Sequence, residues 1–442
     1  MNSTLSKRNW SVLLIFGLIG QIAWSVENMY FNLFVYDTIS KNLDAVTLMV
    51  QASGIAATVV TLIAGTLSDK LGNRRSFISI GYVIWGVTVA LFGFISPELM
   101  EKLFNTGYDD AVFIALCAVV IGDCVMTLFG SSANDAAFNA WITDNTKKDF
   151  RGKVESVVSV LPLFAMLIVA GGFGILVELI GSYSVLFLIL GLIISGVGIW
   201  GIFAIKDAEH LEKNGSLRDM IYGFKPNTVK KIPAFYLTLL ITCIYSIACQ
   251  IFMPYLIIYM RTYLSFSVIE YSLVFGVAIV FGAAVNLVLG RITDKVSKVS
   301  VMYIATAIFS LGLFFMYFVK GINHTATLIL FGIAGFVMIT GFIFISALTG
   351  AIIRDNTPVG ETGKLQGIRM IFCVLIPMLA GPSIGNAINK KMNVPLLDAG
   401  ADAMTTEYIP APEIFLVAAI VSCLLFILIP MLRRLEARKS ED

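Results

Sequence analysis

The sequence predicts an all-α membrane protein of twelve transmembrane helices in two pseudo-symmetric halves of six. Three observations carry this. Of 442 residues, 58% are hydrophobic and 14% charged, too apolar a balance for a water-soluble fold. Apolar segments long enough to cross about 30 Å of hydrocarbon as helices recur along the whole chain. Two polar phrases that close such segments are each written twice.

The first span, 11–37, runs past the length of a signal h-region and lacks a small-residue cleavage site, so it reads as a retained helix. Gln21, Ser25, Asn28 and Asn32 form a polar row on it, flanked by Trp24 and extended by Tyr36. Glu27 lies about 120° away from that row and is expected to face a neighbouring helix. Span 44–68 runs into GTLSDKLGNRR, residues 65–75, and span 75–98 follows.

Span 110–142 places Asp123, Thr127, Ser131 and Asn134 within about 80° of one helical face, which is expected to look into water. Asp135 falls off that stripe and reads as a gate or loop-tethering carboxylate. Spans 153–180 and 182–206 complete the first half. The charged stretch 206–231 reads as a solvated linker, dividing the chain into domains 1–206 and 232–442 joined by 207–231.

The second half comprises spans 233–260, 267–291, 299–320, 325–353, 362–390 and 412–432. Its intramembrane polar residues include Tyr245, Gln250, Asn286, Thr340, Ser346 and Arg369, with no acid at mid-depth. Charge coupling is therefore expected in the first half.

WITDNTKKDFRGKV, residues 141–154, returns 211 positions later as IIRDNTPVGETGKL, residues 352–365. Ile142, Asp144, Asn145, Thr146, Gly152 and Lys153 meet Ile353, Asp355, Asn356, Thr357, Gly363 and Lys364, where chance gives about one match. Both copies are expected on inner loops after spans 4 and 10. Likewise Gly65, Asp69 and Lys70 meet Gly290, Asp294 and Lys295 in GRITDKVSKVS, residues 290–300. With both termini in the cytoplasm, about 24 of 31 basic residues fall on the inner side and about 6 on the outer.

All six cysteines (117, 124, 243, 249, 373 and 423) lie in apolar spans without metal-ligand spacing and read as packing residues. His210 and His324 fall in expected loops. No phosphate-binding glycine loop is present, and no Ser/His or Cys/His arrangement lies within the spans, which argues against an ATP-driven pump and against an enzyme. No cofactor, nucleic acid or obligate protein partner is expected; the partners are a small-molecule solute and the bilayer.

GTLSDKLGNRR fits the major facilitator superfamily's loop signature, G-x-x-x-D-[RK]-x-G-x-[RK]-[RK], at every fixed position, and with twelve spans in two echoing halves the chain resembles that family over its full length. The resemblance implies two six-helix bundles around a central cavity and alternating access. It also implies that Asp69 contacts the start of helix 11 at Thr362, Gly363 and Lys364 to hold an inner gate. Gly65, Gly72, Arg74, Arg75, Asp294 and Arg369 complete the gate set, with Arg74 and Arg75 read first as positive-inside anchors.

SANDAAFNAWITDNTKKDFRGKVESV, from Ser132, resembles the helix 4–5 segment of glycoside-cation (melibiose-permease-like) and sucrose-proton symporters. The departures are Asn139, where the sucrose type has Arg, and Gln51 and Ser53, where the melibiose type has acids. Secondary active import of a glycoside or oligosaccharide, coupled to H+ or Na+ in the cell's inner (plasma) membrane, is the expectation. Export of amphiphilic drugs or lipids is the competing one.

An acid at the bilayer centre costs about 2.5–3.5 kcal/mol, so Asp123, Glu27 and Asp135 are the expected cation-coupling residues. Gln21, Trp24, Asn28, Asn32, Thr127, Ser131, Asn134, Tyr245 and Gln250 are the expected solute contacts, since amides and flat rings suit sugars.

Overall fold

A computed structural model of the chain describes residues 6–146, 154, 157–158, 160–207, 222–293, 297–319, 323–358, 362–395 and 408–441. Twelve helices in it are long and apolar enough to cross a membrane: α1 (Lys7–Thr38), α2 (Leu43–Gly65), α3 (Arg74–Phe92), α4 (Tyr108–Asn145), α5 (Leu161–Ile180), α6 (Tyr183–Ala204), α7 (Pro233–Thr262), α8 (Val268–Asn286), α9 (Lys298–Phe318), α10 (His324–Asn356), α11 (Leu365–Met392) and α12 (Glu413–Ala437). The chain forms two compact units, one of residues 1–41 and 48–217, the other of residues 42–47 and 218–442.

The twice-written phrase does not begin in a loop, as expected, but closes a helix. Asn145 Nδ2 donates to the Trp141 carbonyl at 3.0 Å and Thr146 Oγ1 to that of Ile142 at 2.6 Å. In the second copy Asn356 Nδ2 donates to Ile352 at 3.1 Å and Thr357 Oγ1 to Ile353 at 2.6 Å. The last carbonyls of a helix have no backbone donor, and Asn-Thr supplies two side-chain donors, so α4 and α10 extend past their expected ends. The remainder of the first copy, 147–153, lies outside the described residues.

The helix that contains α2 continues to Leu71 and stops at Gly72, whose φ of 62° is left-handed and suits a residue without a Cβ. Asn73 then caps α3 by accepting from the Ser76 N–H at 3.0 Å. α10 starts one residue before its expected start because Asn323 accepts from Ala326 N–H at 2.8 Å. His324 is thus helical rather than in a loop, and its Nε2 lies 2.7 Å from Glu270 Oε1. His210 lies outside the described residues.

In the first unit α3 and α6 pack at backbone contact. A Cβ added at Gly86 would meet the Gly191 carbonyl oxygen at 2.3 Å, and one at Gly191 would meet that of Gly86 at the same distance. Rings fill the adjoining space, with Phe31 stacked on Phe92 at 4.2 Å. In the second unit Gly381 and Gly385 of α11 lie against Gln250 and Ile251 of α7. Close approach through small residues replaces the hydrophobic drive that lipid removes. The described cysteines are all free thiols.

Gly86→Ala is expected to destabilise the protein by about 1–3 kcal/mol, because its methyl group meets backbone that cannot rotate away. Gly276→Ala, where nothing stands within 4 Å, is expected to leave stability unchanged or raised by up to about 1 kcal/mol from helix propensity. Thermal unfolding of the purified variants in one detergent checks the contrast, and equal midpoints contradict it.

Candidate functional site: buried carboxylates between α1 and α4

Both helices that carry the intramembrane acids change winding along their length, at Glu27 on α1 and around Asp135 on α4. α1 is α-helical to Val26, passes through a π-helical turn at Glu27–Phe31, and resumes at Asn32. α4 does the same at Ser131–Phe138. A π turn displaces the i→i−4 ladder, and asparagine amides occupy the carbonyls around it. Asn28 Nδ2 donates to Trp24 O at 2.8 Å, Asn32 Nδ2 to Asn28 O at 2.9 Å, and Asn139 Nδ2 to Asp135 O at 3.1 Å.

Glu27 is buried and faces α4, as its angular offset predicts. Its Oε1 accepts from Thr127 Oγ1 at 3.1 Å, and Asp123 stands within electrostatic reach one turn earlier on α4. Asp123 is 1% exposed. Ser53 of α2, also buried, stands beside it, its hydroxyl donating to the Val50 carbonyl at 3.2 Å. Ser53 was not among the expected site residues; serines are common in spans, and only the packing of α2 on α4 shows which one meets a carboxylate. Glu27 Oε2 and Asp123 Oδ1 are buried with no protein donor. Among the described residues neither acid has a Lys, Arg or His partner.

The expected wet stripe on α4 is dry. Thr127, Ser131 and Asn134 are no more than 3% exposed, and their polar atoms turn to protein partners. Asp135, expected off this stripe, joins it. It accepts from Ser131 Oγ at 3.0 Å and from Asn134 Nδ2 at 3.2 Å, with Trp24 alongside. Ser131 and Asp135 stand four residues apart and so share a helical face. Tyr82 of α3 closes the cluster, its hydroxyl shared between Asn134 Oδ1 at 2.9 Å and the Phe16 carbonyl at 2.8 Å.

Of the expected solute contacts on α1, Gln21 and Trp24 are half-buried and Asn28 is exposed, whereas Asn32 is 1% exposed and turned inward. The Trp24 indole packs on that of Trp85 with centroids 5.0 Å apart. In the second unit the Tyr245 hydroxyl donates to the Phe342 carbonyl at 2.9 Å, a structural bond that leaves its proton unavailable to a solute, and Gln250 is half-buried.

Arg74 and Arg75 are expected as headgroup anchors, and Arg74 is not one. It is buried, its Nε lying 3.1 Å from Asp144 Oδ2 and its Nη1 donating to Ser68 Oγ. Arg75 donates its backbone N–H to Asp207 at 2.9 Å. Asp144 belongs to the repeated phrase; its counterpart Asp355 pairs with Lys298 at the start of α9. Gly65 is half-buried on α2, and Arg369 is exposed. Asp294 lies outside the described residues, as do the side chains of Asp69, Thr362 and Lys364.

The family model described as Major Facilitator Superfamily matches residues 13–382 and again 238–442. No curated protein matches the sequence. Solved structures with a similar fold include a mutant of the nucleoside transporter NupG, with a TM-score of 0.67 at 12% identity over 96% of this chain and 99% of that one. A bacterial homologue of the human lysosomal transporter Spinster, inward-facing and unoccupied, has a TM-score of 0.66 at 14% identity over 97% and 98%. A bacterial homologue of the iron transporter ferroportin, outward-facing with soaked iron, has 0.63 at 13% identity over 97% and 100%.

The two pairs of the repeated phrase differ in burial, and so in worth. Asp144→Ala strands a buried guanidinium and is expected to cost about 2–4 kcal/mol, whereas Asp355→Ala, in a pair whose side chains are 41% and 56% exposed, is expected to cost less than about 1 kcal/mol. Thermal unfolding midpoints in detergent test this, and equal losses contradict it.

Proposed function

The chain belongs to the Major Facilitator Superfamily and is a multi-pass membrane transporter rather than an enzyme, and from that premise we propose secondary active import of a small polar solute coupled to protons. One observation carries the coupling: Glu27 and Asp123 are buried close together on α1 and α4, with Oε2 and Oδ1 unpartnered and, among the described residues, no basic side chain paired to either. Two adjacent carboxylates in a low-dielectric interior repel each other, and a bound monovalent cation relieves the repulsion. A proton suits the pair better than sodium. Sodium needs several oxygens at once, whereas a proton needs only one of the unpartnered carboxylate oxygens.

The chemistry follows from neutralisation. With the cation bound, the pair is cheaper to move between facing states; with it released, the repulsion and desolvation cost resist the change. Thr127 holds Glu27 toward α4, so this acid keeps its place beside Asp123 while the cation exchanges.

We take the solute to be a glycoside in the broad sense, a sugar ring carrying a second group. The half-buried Trp24 indole offers a flat face, Gln21 and the exposed Asn28 offer amide oxygens, and the α4–α5 segment resembles that of glycoside-cation symporters. The sidedness of the basic residues supports cytoplasmic termini in the plasma membrane.

Asp123→Asn is expected to abolish accumulation against a gradient while preserving solute exchange between equal pools in proteoliposomes, because the amide mimics the neutral acid. Glu27→Gln is expected to do the same. Wild-type concentrative uptake in Asp123→Asn under an imposed proton gradient rejects this assignment, and dependence on sodium alone rejects the proton.

A ligand that binds the folded state raises its melting temperature by mass action, so glycosides are expected to stabilise the purified protein and lipophilic cations not. Stabilisation by lipophiles alone favours export of amphiphiles. For the gate, Asp69→Asn is expected to impair transport with solute affinity retained, and unimpaired transport rejects that role.

A further inference from the structure

Between α3 and α4 the chain forms a short helix, Pro97–Phe104, of sequence PELMEKLF. It is locally well specified. Ser96 caps it by accepting from Leu99 N–H at 3.2 Å, Pro97 occupies the first turn where no N–H is needed, and Asn105 at φ 48° ends it.

At 100° per residue its side chains sort into three sectors. Pro97 and Met100 are buried against the protein. Glu98, Glu101 and Lys102 fill a second, solvent-exposed arc. Leu99 and Leu103 share the third, and they are 38% and 65% exposed, with Phe104 at the end of the helix 60% exposed.

Charges on one side, protein on another and bare leucines on the third match a helix lying in a membrane surface. Two further observations identify the occupant of the leucine face. Residues 93–96 and 105–107 are the only links to α3 and α4, and at about 3.3–3.6 Å per residue they hold the helix within roughly 14 Å of both span ends. The lipid-facing apolar residues of those spans also run on into it: Leu91 and Phe94 before it are 62% and 47% exposed, and Tyr108 and Phe113 after it 56% and 67%.

We propose that Pro97–Phe104 is an interfacial helix whose Leu99 and Leu103 insert at the headgroup–acyl boundary of the bilayer. It fastens the α3–α4 connection to lipid and leaves Glu98, Glu101 and Lys102 in water.

The test uses full-length protein in proteoliposomes of plain phosphatidylcholine or of the same lipid brominated near the top of its acyl chains. Leu103→Trp and Glu101→Trp are compared with the parent, whose own tryptophan signal is subtracted. The added tryptophan at 103 is expected to be blue-shifted and quenched several-fold more by brominated lipid than the one at 101. Red-shifted, unquenched emission at both positions overturns the proposal in favour of a water-exposed helix. Blue-shifted but unquenched emission at 103 overturns it in favour of a covering protein, such as a second copy of the chain.

Discussion

A bilayer interior holds no water to satisfy a stranded polar group, and the polar chemistry of this protein is arranged around that constraint. At the π turns of α1 and α4 a side-chain amide stands one turn away and takes a backbone carbonyl: Asn28 and Asn32 on α1, Asn139 on α4. Where the helices end, Asn-Thr does the same for α4 and α10. Among the buried side-chain oxygens of the described residues left without a donor, Glu27 Oε2 and Asp123 Oδ1 are the carboxylate ones.

The π turns do more than absorb an extra residue. On α1 the turn begins at Glu27 itself, and on α4 the turn contains Asp135, bonded to Ser131 and Asn134. Three carboxylates thus lie along two neighbouring helices. A cluster of this kind holds stored repulsion, and a cation that relieves it gains leverage over the conformation.

The two halves keep a common plan and spend it differently. Asp144 and Asp355 occupy equivalent places in the repeated phrase, and each meets a basic residue at the start of the preceding span. Arg74 is buried and braced by Ser68, whereas Lys298 is open to solvent. The acids within the membrane show the same inequality, since the first half has them and the second meets its needs with neutral groups such as Tyr245 on the Phe342 carbonyl.

Twelve spans, their order, the twofold repeat and the depth of Glu27 and Asp123 were determined by the sequence itself, because hydrocarbon thickness sets span length and a charge inside a span is rare enough to stand out. So was the direction in which Glu27 points, as α1 winds regularly up to Val26. Tertiary structure decided what those residues meet. Periodicity gives the faces of a helix and not what covers them, so the stripe was read as wet and Asp135 as apart from it. The assignment of Arg74 as a surface anchor failed for a related reason: the sequence counts a basic residue by its side of the membrane, while only packing brings Asp144 and Ser68 around it. Ser53 stood in the sequence only as a position where the melibiose type has an acid, and its place beside Asp123 came from the packing of neighbouring helices.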